Sequence, residues 1–151
     1  MRGNITGDNW YYAEADGRWA GPAKVSTIKM PSIGAGRFEL LLEVVDAIEL
    51  DILEGMSVSI NGVMLKAIAG SPQFPKILRA EFSSQDIIPA MIWELRFEFP
   101  RVVSPAEQAK MQPRRPKLFS RLGFCHQRKI VADDLRQLAI RLRRVSIRAI
   151  S

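Results

Sequence analysis

The sequence predicts an all-β protein: an antiparallel β-sandwich of jelly-roll type, with one short helix and a basic insertion near the C-terminus. Three observations carry this reading. Apolar residues recur with period two between Ala23 and Phe99, the spacing of half-buried strands. Turn-forming clusters separate these runs at short intervals: Gly21-Pro22, Pro31-Ser32-Ile33-Gly34-Ala35-Gly36, Glu54-Gly55 and Gly70-Ser71-Pro72. No repeat of about 20 to 50 residues is evident, which sets aside propellers and solenoids.

Taken along the chain, Lys24 to Met30 gives the first alternating run. In Arg37 to Val44, Phe38, Leu40, Leu42 and Val44 fall on one face, and Glu39 and Glu43 on the other. Ser57 to Ile60, Asn61-Gly62 and Val63 to Lys66 read as a hairpin. Asn-Gly tolerates the positive φ angles that a type I′ turn requires. Ile77 to Phe82 alternates again, as does Ile92 to Phe99, which places Trp93 in the core. Ser104-Pro105-Ala106-Glu107 has the form of a helix start: a capping serine, a proline at the first helical position, and a glutamate three residues after the cap. Pro113 and Pro116 keep that helix short. Residues 111 to 129 follow as a basic connecting loop. Leu135 to Ala149 fits a helical face, and also fits two alternating sets, Leu138/Ile140/Leu142 and Val145/Ile147/Ala149, out of phase by one residue. A β-bulge at Arg143-Arg144 brings both sets to one face. The β-branched Val145 and Ile147 favour the strand.

The 151 residues suit a single domain spanning 1–151. No apolar run approaches the roughly 18 residues of a membrane span. The first residues lack the apolar region of a secretory signal, so the sequence reads as cytoplasmic. One cysteine, Cys125, excludes an internal disulfide framework. The net charge of +6 conceals a split. Residues 1–100 carry 9 Lys and Arg against 13 Asp and Glu, a net −4, whereas residues 101–151 carry 13 against 3, a net +10. Such asymmetry fits contact with an anion, or a solvated basic surface with nothing bound.

Catalysis finds little support. One histidine, His126, beside one cysteine offers too few ligands for zinc. No acidic calcium loop, Gly-x-Ser-x-Gly elbow or glycine-rich phosphate loop is present. Strand alternation would place Glu14 and Asp16 on one face, the arrangement of a general acid and base in glycoside hydrolysis, but many surface carboxylates are so placed. The chain reads as non-enzymatic, without metal or cofactor.

The distinctive feature is aromatic. Asp8-Asn9-Trp10-Tyr11-Tyr12 precedes Asp16-Gly17-Arg18-Trp19-Ala20-Gly21-Pro22, which puts two tryptophans and two tyrosines in the first twenty residues. Trp10, Tyr11, Tyr12 and Trp19, with Glu14 and Arg18, are candidates for a platform on which sugar rings stack. The competing reading makes both tryptophans core anchors and Arg18 a partner of Glu14 or Asp16. If this segment is a strand, Tyr11 and Tyr12 point to opposite faces, so at least one is exposed.

These motifs together resemble a β-sandwich accessory module of bacterial polysaccharide and lipopolysaccharide biosynthesis proteins and glycosyltransferases. Glu14-x-x-Gly17-Arg18-Trp19-Ala20-Gly21-Pro22 is similar to its Gly-Arg-Trp-Ser/Thr-Gly-Pro opening. Val58-Ser59-Ile60-Asn61-Gly62 is similar to its V-x-V-N-G hairpin, and Ser104-Pro105-Ala106-Glu107 to its S-P-x-E segment. Asp134-Leu135-Arg136-Gln137-Leu138-Ala139-Ile140-x-Leu142 is similar to its closing D-x-R-x-L-A-I-x-L strand. The resemblance covers nearly the whole chain in family order. It implies a non-catalytic module with Asp134 and Arg136 as structural turn residues. The family passes quickly from S-P-x-E to D-x-R, so the basic residues 111 to 129 are an insertion.

Three functions follow as expectations. The first is a non-catalytic module that binds glycan or supports a glycosyltransferase. The second is an anion-binding adaptor in which Arg114, Arg115, Lys117, Arg121, Arg128 and Lys129 contact an anionic membrane surface, with Phe119, Leu122 and Phe124 interleaved. Nucleic acid is a less favoured partner, because no helix-turn-helix or zinc module is present. The third is a structural interaction domain whose sheet edges support a homo-oligomer.

Overall fold

A computed structural model describes residues 6–66, 68–69, 73–111 and 133–150. Within them the chain forms strands β1 (Arg18–Trp19), β2 (Val25–Pro31), β3 (Arg37–Ala47), β4 (Ser57–Ile60), β5 (Val63–Leu65), β6 (Ile68–Ala69), β7 (Lys76–Ser83), β8 (Ile92–Glu98) and β9 (Ile140–Ile150). Helices α1 (Leu50–Glu54) and α2 (Pro105–Met111) complete the fold. One sheet has the order β1-β9-β3-β7-β6 and the other β2-β8-β4-β5, with every pairing antiparallel.

The topology is one long hairpin rolled up. The tip is the β4–β5 turn, where Asn61 (φ 46°) and Gly62 (φ 84°) supply the positive φ pair of a type I′ turn. Moving away from the tip, β3 pairs with β7, β2 with β8, and β1 with β9. Successive pairs fall on alternate sheets, which is the jelly-roll arrangement.

The period-two pattern becomes the core. Phe38, Leu40, Leu42 and Val44 of β3 are buried, as are Leu78, Ala80 and Phe82 of β7 and Trp93, Leu95 and Phe97 of β8. Each large apolar side chain so buried contributes about 1.5–3 kcal/mol. Phe38, Phe82 and Trp93 meet with ring centroids 5.2–5.5 Å apart.

β9 is a strand and carries the expected bulge. Glu43 lies opposite Arg144 while Val44 lies opposite Leu142, so Arg143 is the extra residue. That shift lets Leu142, Val145 and Ile147 all pack on the core despite their sequence phase.

Among the described residues two short α-helices are present where one was expected. The Glu54-Gly55 cluster is not a simple turn but the end of α1, where the Gly55 N–H donates to the Asp51 carbonyl at 2.9 Å. Ile52 and Leu53 hold α1 on the core. At five residues it has too little length for a periodic signal.

α2 begins with the predicted reciprocal cap. Ser104 Oγ accepts from the Glu107 N–H at 3.1 Å, and Glu107 Oε2 accepts from the Ser104 N–H at 3.1 Å. The bond from the Ser104 backbone, then that from its side chain, holds the Glu107 carboxyl below its ordinary value. A depressed folded-state value means this contribution is full above the unfolded pKa and fades as pH falls through the folded one. Glu107→Gln keeps an acceptor without the charge. Its melting temperature is therefore expected to lie slightly below wild type at neutral pH and to converge on it in acid, as thermal melts across pH would show.

Candidate functional site

The segment before β1 doubles back on it. The Tyr11 N–H donates to the Trp19 carbonyl at 3.0 Å, and the Glu14 N–H to the Gly17 carbonyl at 2.7 Å. This small hairpin is clasped to the chain leading into β9. The Ala20 N–H donates to the Ile140 carbonyl at 2.9 Å, and the Ala139 N–H to the Ala20 carbonyl at 3.0 Å. Tyr11 Oη accepts from the Gln137 N–H at 3.2 Å.

Around that clasp lies a network of five charged side chains. Arg136 donates from Nη2 to Asp134 Oδ2 at 2.8 Å, from Nε to Asp134 Oδ1 at 3.0 Å, and from Nη1 to Glu14 Oε1 at 2.9 Å. Arg141 reaches Glu14 Oε2 and Asp46 Oδ2, each at 3.4 Å. The bond to Asp134 raises the Arg136 guanidinium well above its ordinary value; burial opposes this, and Glu14 reinforces it. The Arg136 N–H also donates to Asp134 Oδ1 at 3.0 Å. Each guanidinium covers an aromatic ring, Arg136 over Tyr11 at 5.5 Å and Arg141 over Trp19 at 5.4 Å.

This arrangement sorts the proposed platform. Trp19 is buried at 3% exposure and belongs to the core. Trp10 is half-buried: its Nε1–H donates to the Thr27 carbonyl at 2.7 Å, and its ring meets Phe97 edge-on at 5.8 Å. It fastens the N-terminal segment to β2. Tyr11 is half-buried, with its hydroxyl and one ring face engaged. Tyr12 is the open aromatic, 93% exposed. The two tyrosines differ in exposure, although residues 11–13 form no strand. Glu14 takes Arg136 and Arg141, and Arg18 is half-buried in β1 opposite Leu142. Arg114, Arg115, Lys117, Arg121, Arg128 and Lys129 lie outside the described residues.

Asp46 and Arg141 complete the network without having been foreseen as site residues. Their pairing spans 95 positions, and no local signal announces it. Chemically, the cluster presents hydrogen-bonding groups in fixed positions: its carboxylates, Glu14, Asp46 and Asp134, each face a guanidinium. A separate open depression of about 240 Å³ is lined by Ser32, Gly34, Ser84, Ile88 and Trp93 among others, with no charged side chain. Its Ser84 Oγ already accepts from the Gly36 N–H at 2.8 Å. Among the described residues, no helix is long and apolar enough to cross a membrane. The chain matches no protein-family model, no curated protein and no solved structure.

Proposed function

We propose that the chain is a non-catalytic carbohydrate-recognition module serving bacterial surface-polysaccharide biosynthesis, with a glycan or a glycosyltransferase-bound glycan as its ligand. The observation that carries the reading is Tyr12. A tyrosine 93% exposed stands two residues from Glu14, whose partner Arg136 keeps 40% of its side chain open to solvent. An open aromatic ring two residues along the chain from a carboxylate–guanidinium pair suits a sugar, which offers an apolar face and a rim of hydroxyls. The ordered motif set supplies the biosynthetic setting.

The test is a screen of the purified protein against bacterial surface glycans, with anionic liposomes and DNA alongside, at low and moderate salt. A salt-tolerant glycan hit is expected. Tyr12→Ala is expected to weaken it about tenfold, the loss of roughly one aromatic contact, with an unchanged melting temperature because the ring packs on nothing. Binding only to liposomes or DNA, fading with salt, would move the function to residues 111–129 and overturn the sugar reading.

A further inference from the structure

Unpaired strand edges invite other strands, and most edges of this fold are short or covered. The outer side of β2 is occupied by the N-terminal segment: the Thr27 N–H donates to the Asp8 carbonyl at 3.1 Å, and the Lys29 N–H to the Thr6 carbonyl at 2.7 Å. β5 has three residues and β6 two. β9 differs. Its outer neighbour β1 pairs only with Arg141 and Leu142. The hairpin turns away at Gly17, whose backbone lies against the Leu142 carbonyl. From Arg143 to Ile150, β9 pairs with β3 alone among the described residues. This is the longest uncovered edge in the described fold.

Its side chains say what would cover it. Val145 and Ile147 pack on the core but remain half-buried at the margin, so the apolar row stops short. On the other face stand Arg144 and Arg148. Arg148 pairs with Glu39 at 2.6 Å and keeps 59% of its side chain exposed. Arg144 is exposed, and Glu43 opposite it is taken by Arg143 at 2.8 Å. Among the described residues Arg144 has no ion-pair partner. The open stretch contains three arginines and no carboxylate.

We infer that this edge receives an extended acidic segment of a partner protein by β-augmentation. Carboxylates at positions i and i+4 of the incoming strand would face Arg144 and Arg148. Apolar residues at i+1 and i+3 would continue the Val145–Ile147 row. A second copy of the chain would set arginine-bearing edges side by side. Residues 112–132 contain six Lys and Arg and no Asp or Glu, so they too offer these arginines no opposite charge.

The experiment uses the full chain and a synthetic peptide of repeated Glu-Val-Thr-Val, with a Lys-for-Glu version as control. The glutamate peptide is expected to bind at least about tenfold tighter than the control, a margin that shrinks with salt. Binding is expected to slow amide hydrogen exchange in Arg143–Ile150. Because Arg148 remains, Arg144→Glu is expected to erase most of the preference between the two peptides while the fold is retained. Equal binding of both peptides, or protection confined to another strand, would overturn the inference. So would edge protection without peptide, which would mean a second copy if it grew with protein concentration and the chain's own residues if it did not.

Discussion

Gly21→Ala is expected to abolish folding. Gly21 sits where the N-terminal hairpin crosses the chain entering β9, with φ at +142°, a conformation that side chains rarely adopt. A Cβ there would lie 2.0 Å from the Gln137 carbonyl oxygen and 2.9 Å from Tyr11 Cε2. The crossing cannot simply widen. Ala20 is bonded in both directions to Ile140 and Ala139, and the Gly21 N–H donates to the Asn9 carbonyl at 3.0 Å. Backbone strain and overpacking together cost on the order of 4 kcal/mol or more, close to the whole stability of a domain at the low end of the usual range of about 5–15 kcal/mol. Gly34→Ala is the control: φ is +95° there too, but nothing lies within 4 Å of the added carbon. Its cost is expected to be about 1 kcal/mol. Circular dichroism and urea unfolding of the two variants give the comparison. Similar midpoints would show that the chains do not cross so closely.

Arg136→Met has the next largest effect. The substitution keeps bulk beside Tyr11 but removes the bonds to Asp134 and Glu14. Asp134, whose side chain is only 16% exposed, then loses its ion-pair partner Arg136, while Glu14 keeps Arg141. With Arg136 40% exposed, solvent screening trims the loss, and about 2 kcal/mol is expected. Combining it with Glu14→Gln should give less than the sum of the single effects, since both remove one shared bond. Urea unfolding of the cycle measures this. A single-variant cost under about 0.5 kcal/mol, the level of an ordinary surface pair, would mean that the network does not fasten the hairpin.

Local pattern made the strands legible. The alternation of Phe38 to Val44 and of Trp93 to Phe99 survives as buried rows, and Asn61-Gly62 turns the chain as its backbone preferences require. The bulge was readable because Leu142 and Val145 have the wrong parity for an unbroken strand. Long-range charge pairing was not. Glu14 meets Arg136 and Arg141 across 122 and 127 positions, and nothing within either segment names the other. The aromatic cluster was visible, but its division was not. Trp10 is withdrawn from any platform by a carbonyl on Thr27, and Tyr11 by Gln137 and Arg136. Those partners lie outside the motif, so the sequence implied that at least one tyrosine is exposed without saying that Tyr12 is the one.

The most direct measurement is amide NMR mapping of the glycan identified by the screen, titrated into the isotopically labelled full chain. The expected result is a cluster of saturable shifts at Tyr12, Glu14 and Arg136, with β9 beyond Arg143 unmoved. Shifts confined to other surfaces, or none at saturating sugar, would contradict a sugar site built on Tyr12.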